Sequence, residues 1–343
     1  MKPFFSLLLF CIICTGSVTY AQPTLNRATI FDDTSVINAT LNVNIPRLLK
    51  QKDKEGYTFP ATFSCRLGDS MSVTDQMAVE VRGHFRRGYC YLPPLKLIFN
   101  ANPAATLSSL KALKLVAPCM EADMYQQYLL KEYVIYKIYN LLTDKSFKVR
   151  LLNLTYQDSS GKKKAVTEHA FLLEDAKDIA KRNGCKEWEQ GRPPTETTDR
   201  RQMTMVAIFE YMIGNTDWAV PVYHNIKLIK PKKDSLARPY VVPYDFDFSG
   251  LVNTNYSAPN EQLGIENVQQ RLYRGFPRTM GEINEVLEIF KNKKASIYAT
   301  INNFNLLSVR SKKDMTGYLD SFFEMIKNPG EVENEFITNA RTE

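Results

Sequence analysis

Apolar and polar positions alternate in short runs through the first third of the chain, and further on the period lengthens to that of a helix. Residues 35–45, 57–66 and 77–82 are rich in Val, Ile, Thr and aromatic side chains with polar residues between them, the pattern of half-buried strands. Val79-Glu80-Val81-Arg82 alternates strictly and stops at Gly83, where a turn is expected. Pro93-Pro94 then leads into strands over 95–99 and 110–116, which carry Lys96, Lys111 and Lys114 among apolar neighbours. Over 125–142, Tyr125, Leu129, Glu132, Tyr136 and Tyr139 fall on one helical stripe, and Leu130, Val134, Ile138 and Leu141 on a second. That helix leaves little of its surface for water.

Strands over 147–157 and 164–173 flank Asp158-Ser159-Ser160-Gly161, a hairpin signal. A short helix follows and ends at Arg182, and the polar stretch 184–200, with Pro193 and Pro194, reads as an exposed loop. Residues 203–213 form an apolar helix that stops at Gly214-Asn215, both good helix C-terminal residues. A hairpin over 225–230 and 240–245 surrounds a basic turn, and 250–264 is irregular. From Glu266 the pattern is helical, over 266–273, 280–292, a segment from Ala295 and 314–326, with a loose acidic tail after Pro329. Strands ahead of Glu174 and helices after Met203 predict an α+β protein with a mixed or antiparallel sheet lobe over 22–175 and a mainly helical lobe over 176–343. No internal repeat or low-complexity tract breaks this order.

Composition narrows the class. At 44% hydrophobic and 11% aromatic residues, the chain buries a substantial core and is not disordered. Lys2, an apolar run over 4–13 and Thr19-Tyr20-Ala21 make residues 1–21 read as a secretory signal peptide, too short in its apolar run to span a membrane. The expected product is exported, periplasmic or extracellular, with no transmembrane segment. A net charge of +7 favours anionic partners, while no aromatic-basic motif points to nucleic acid. Cys65, Cys90, Cys119 and Cys185 would meet an oxidising compartment, which allows three pairings. At least one disulfide is expected, with Cys90–Cys119 the first choice because both flank strands of one lobe. His84, His169 and His224 are scattered, and the cysteines are too widely spaced for a zinc ribbon.

The candidate chemistry gathers between Met212 and Val252, where Asp217 is followed by Asn225, Asp245 and Asp247. Magnesium takes oxygen ligands from one or two carboxylates together with substrate phosphates. An Asp ahead of an Asn and a second Asp is the equipment of phosphoryl transfer, in which the first orients the attacking hydroxyl and the others hold magnesium. A helix cap at Gly214-Asn215-Thr216-Asp217-Trp218 and a strand cap at Tyr244-Asp245-Phe246-Asp247-Phe248 account for the same residues without chemistry. Arg82, Arg86 and Arg87 share a turn that either covers phosphates or is a solvated hairpin tip. Glu132 sits among side chains that read as buried, so it needs a cationic partner, and Lys96 or Lys114 is expected to supply one.

With these residues in place the chain resembles the CotH-like family of secreted and spore-coat protein kinases, a remote branch of the protein-kinase-like superfamily. The matching pieces are RGHFRR, YLLKEYVIYKIYN, a strand ending FLLED, GNTDW with HN after it, and VPYDFDFSG, spread from Val81 to Phe276. The resemblance implies a two-lobed kinase-like fold, ATP and Mg2+ as cofactors and a protein hydroxyl as acceptor. It casts Asp217 as the catalytic-loop Asp, Asn225 and Asp245, with Asp247 beside them, as metal ligands, and Arg82, a strand lysine and Glu132 as nucleotide-holding residues. The family turn reads Arg-Gly-Asn-Ser and continues into lysines, whereas here His84-Phe85 follow Arg82-Gly83 and Pro93-Pro94 replace the basic run. Lys96 and Lys114 therefore both stand as the nucleotide lysine. A non-catalytic envelope protein that binds or assembles through the same surface is the second reading, and oligomeric state stays open.

Overall fold

Seven strands close on themselves in the first half of the chain. The computed structural model describes Arg27 and residues 29–54, 56–67, 71–83 and 85–341. The signal-peptide reading of residues 1–21, and His84, lie outside the described residues. In chain order the strands are β1 (Ile37–Val43), β2 (Thr58–Leu67), β3 (Met71–Val81), β4 (Leu95–Ile98), β5 (Ala112–Val116), β6 (Val149–Asp158), β7 (Val166–Leu173), β8 (Cys185–Glu187), β9 (Ile226–Pro231) and β10 (Tyr240–Pro243). The helices are α1 (Ile45–Lys50), α2 (Phe85–Tyr89), α3 (Asp123–Leu142), α4 (Ala176–Arg182), α5 (Arg200–Ile213), α6 (Met280–Asn302), α7 (Val309–Met325) and α8 (Pro329–Glu333).

The barrel order is β1-β2-β3-β4-β5-β7-β6, and it closes because β1 pairs with β6 in parallel from Ile37↔Leu152 to Val43↔Asp158. All its other neighbours are antiparallel. Strict alternation puts Ile37, Ala39, Leu41 and Val43 inside, facing Val79, Leu97, Leu113, Leu115, Leu152 and Leu154. Closure removes both sheet edges, so no exposed row of unpaired backbone groups is left in this sheet.

This overturns the two-lobed kinase-like arrangement expected above, whose sheet lobe is open. The reason is non-local. Two strands more than a hundred residues apart in sequence satisfy each other's backbone, and alternation within either strand carries no trace of that pairing. The stretch 184–200, expected as loop, contributes β8, which joins β9 and β10 in a separate three-stranded sheet. Residues 266–273, expected helical, are irregular, while the expected helix over 280–292 runs on to Asn302. The tail after Pro329 is ordered, through α8 and a wider helical turn at Asn334–Thr338 that buries Phe336.

α3 lies against the outer face of β6 and β7 and touches α6 and α7. Strand β7 is therefore buried on both faces, with Ala170 and Leu172 turned into the barrel and Phe171 and Leu173 turned toward α3. The helix contains neither Gly nor Pro, and Asp123 in its first turn complements the helix dipole. α5 is set by its ends. Asp199 accepts from the Gln202 amide at 2.8 Å, and Gly214 closes the helix at φ +66°. A Cβ at Gly214 would lie 2.0 Å from the Tyr318 hydroxyl, so only glycine fits. Cys90 and Cys119 form a disulfide with a Cα separation of 4.5 Å, joining the end of α2 to the segment before α3. Cys65 and Cys185 are buried free thiols. No described helix is long and apolar enough to cross a membrane.

Candidate functional site

The site forms where the outer wall of the barrel, α2, α3 and two loops of the second half meet. Its first loop leaves α5 at Gly214. Asn215, itself buried, accepts the Asp217 amide on its side-chain oxygen at 3.0 Å, a tight turn that presents Asp217 outward. Arg274 spans the same loop from the far side, donating to the carbonyls of Thr216 and Trp218 and lying over the Trp218 ring at 5.2 Å. Burial pushes the Arg274 guanidinium down to about 10, with Arg341 adding to the effect. Main-chain acceptors hold this cation, so it acts as a brace for the Asp217 loop.

Asn225 and Asp245 come together because of hairpin register. Ile226 stands opposite Pro243, and one step beyond the pair the Tyr244 amide donates to the Asn225 carbonyl at 3.0 Å. Both strands thus open toward one space. Asn225 turns its side-chain amide to the Asp217 carbonyl at 2.7 Å and to Asp217 Oδ2 at 2.9 Å. Asp217 Oδ1 meets His224 Nε2 at 2.8 Å. The Asp245 amide donates to the Tyr136 hydroxyl of α3 at 2.8 Å. Tyr223, Asn225 and Asp245 all have positive φ, at 54°, 51° and 67°, although none is glycine. Such backbone costs on the order of 1–3 kcal/mol per residue and collects at functional sites.

Behind Asp245 the charges crowd. Asp247 is buried, accepts from the Tyr256 hydroxyl at 3.0 Å and has Arg86 at 3.9 Å. Burial and the neighbouring Asp245 push its carboxyl up to about 7. Glu132 is pushed well above the usual carboxylate range by burial, and then by Asp247 and Asp245. One of its oxygens, Oε1, is buried without a hydrogen-bond partner. The cations stand on the barrel side. Arg82 donates to the carbonyls of Leu95 at 3.3 Å and Leu115 at 3.2 Å; burial lowers its pKa, and Asp245 is the strongest favourable charge acting on it. Lys114 lies 4.7 Å over the Tyr244 ring, and burial followed by the charge of Arg82 pushes it down to about 8.

The structure therefore gathers Asp217, Asn225, Asp245, Asp247, Arg82, Lys114 and Glu132, and leaves Lys96 out. Lys96 and Lys114 are cross-strand partners on the same barrel face, but Lys96 bonds Glu80 at 3.2 Å. The expected lysine partner of Glu132 is also absent among the described residues. Two aspartates and Arg86 surround Glu132 instead, because α3 sets it toward the loop over 244–247 and away from β4. Arg86 joins the site from the arginine turn already named. The residues the sequence did not offer as site candidates are Tyr136, His224, Tyr256 and Arg274, of which only His224, adjacent to Asn225, carried a sequence signal. The turn holding Arg86 is the short helix α2, whose arginine also donates to the Ala117 carbonyl.

A magnesium ion fits this donor set. Asn225, Asp245 and Asp247 offer hard oxygens, and the carboxylates of Glu132, Asp245 and Asp247 repel one another in a buried space that holds one orphaned oxygen. Among the described residues no three His, Cys, Asp or Glu side chains are gathered as a ready metal cage. Magnesium needs none, since it keeps waters and takes substrate phosphates as ligands. No protein-family model matches the chain, and no curated protein matches it.

Proposed function

We propose that this chain transfers a phosphoryl group from magnesium–ATP to a hydroxyl of a protein acceptor. The observation that carries the reading is the double role of Asn225. Its side chain bonds Asp217, and its carbonyl takes the amide of the residue before Asp245. The acceptor-facing carboxylate and the metal-facing oxygens thereby share one edge. The proposal rests on this site alone, because the barrel gives it no support by analogy.

Arg82 and Lys114 bind the phosphates from the barrel wall. Asn225, Asp245 and Asp247 would hold magnesium, which supplies neutralisation of phosphate charge when bound. Asp217 orients the acceptor hydroxyl and takes its proton as the new oxygen–phosphorus bond forms and the bond to the β-phosphate oxygen breaks. His224 and Asn225 each occupy one Asp217 oxygen, so its orientation is set before substrate arrives. Catalysis would rest on positioning and on charge placed in advance. The Cys90–Cys119 bridge supports an oxidising, exported setting. A non-catalytic binding protein is the second reading, favoured by the engagement of both Asp217 oxygens and of Asp247 within the protein.

The test is thermal melting with magnesium, ATP and both. At one hundred times the dissociation constant the pair should stabilise the protein by about 2.7 kcal/mol, and Asp245→Ala should lose the magnesium-dependent part. Asp217→Asn should keep nucleotide binding and lose about 10²–10⁴-fold in transfer. No shift with magnesium and ATP, GTP or pyrophosphate would leave the binding protein standing.

A further inference from the structure

Tyr128 separates the acid cluster from a second cleft of ≈ 360 Å³, which lies between the first two turns of α3, the start of α7 and Asn253. Lys131 lines it. This lysine is only 7% exposed, yet among the described residues its ammonium donates solely to the Val252 carbonyl, at 3.3 Å, and no carboxylate is within ion-pair distance. An ammonium carries three donors, so two are unspent inside the protein. Burying a cation without a counter-ion is costly, and burial lowers the Lys131 pKa, with Asp314 offsetting part of the effect. Asp314 lines the same cleft and is drawn to Arg310, 3.9 Å away.

The opposite wall supplies more donors. Arg310 is 92% exposed along its side chain and lines the cleft. Ser308 caps α7 by accepting the Ser311 amide at 3.0 Å, which leaves the amides of Val309 and Arg310 without intrahelical acceptors. Gln127 of α3 clamps this helix start in place. Its oxygen takes the Ser308 amide at 2.9 Å and its amide donates to the Leu306 carbonyl at 3.2 Å. The start of α7 is therefore held in position before any ligand arrives.

We propose that this cleft binds a phosphate group between the Lys131 ammonium, the Arg310 guanidinium and the first amides of α7. Donors from three directions suit a tetrahedral anion with at least three acceptor oxygens better than a planar carboxylate with two. The volume exceeds that of one phosphate, and Gln127, Asn253 and Tyr128 line the remainder, which suits the polar body of a phosphate monoester. This inference does not depend on the phosphoryl-transfer reading.

Calorimetric titration of the purified chain at constant ionic strength, with inorganic phosphate, glycerol 3-phosphate and acetate, tests it. Both phosphates should bind at least tenfold more tightly than acetate. Lys131→Met and Arg310→Ala should each weaken them at least tenfold, and Arg310 is too exposed for its loss to disturb folding. Tighter binding of glycerol 3-phosphate identifies a monoester site; equal binding identifies a site for free phosphate. The proposal falls if acetate binds as well as phosphate, or if Arg310→Ala keeps wild-type affinity. It also falls if Lys114→Met, and not Lys131→Met, removes the binding.

Discussion

The barrel and the cleft on its outer wall both bury carboxylates, and they treat them in opposite ways. At the barrel end Asp158 is buried, and it accepts from the amides of Ile45, Ser160, Lys162 and Lys163 and from the Ser160 hydroxyl, at 2.7–3.2 Å. Burial pushes its carboxyl up, but these bonds outweigh it and hold the group at about 2. In the cleft, Glu132 and Asp247 face each other and Asp245, and both are pushed up. A carboxylate surrounded by amides stabilises the fold, since every donor around it would otherwise be orphaned. A carboxylate surrounded by carboxylates destabilises the fold, and groups perturbed in this way collect at functional sites. Asp158 is a structural acid, whereas Glu132 and Asp247 are left with less compensation inside the protein.

The comparison is open to breaking by three substitutions. Asp158→Ala should give the largest change, a fall of several degrees in melting temperature, because it orphans four main-chain amides near the start of α1. Equal stability of this variant and the wild type in thermal melts would remove the structural half of the contrast.

Glu132→Gln should move the other way. Neutralising an acid beside Asp245 and Asp247 should raise stability by about 1–3 kcal/mol at pH 8 and weaken magnesium–ATP stabilisation, both read from melts with and without the ligand. A destabilised variant with unchanged ligand response would make Glu132 a structural acid like Asp158.

A third acid marks the boundary between the two regions. Glu168 points into the barrel from β7, and burial, with Glu121 nearby, pushes it up to about 8. Its folded pKa is raised above the ordinary 4.5, so the folded state binds the extra proton and stability falls as pH rises from about 4.5 to about 8. Glu168→Gln should remove that slope, being more stable than wild type at pH 9 and no different at pH 4. Urea midpoints at the two pH values measure it, and an unchanged slope would mean that the barrel end is wet at Glu168.

Local periodicity was enough for α3, α5 and the barrel strands. α3 and α5 were readable because helix burial repeats within a few residues, and the barrel strands because alternation does. The proximity of Asp217 and Asn225 was readable because only eight residues separate them, on the two sides of one turn. The Cys90–Cys119 bridge followed from two cysteines flanking neighbouring strands. Tertiary structure decided the rest. Whether the sheet is open or closed depends on β1 finding β6, a pairing invisible within either strand. Lys96 and Lys114 have the same pattern and the same face, and only Glu80 beside one and Tyr244 beside the other separates their surroundings. Residues 266–273 keep a helical pattern without forming a helix, and the acidic tail folds because Phe336 finds Tyr211 and Tyr273. Pattern sets which face of an element is apolar, and it is silent on which distant surface will cover that face.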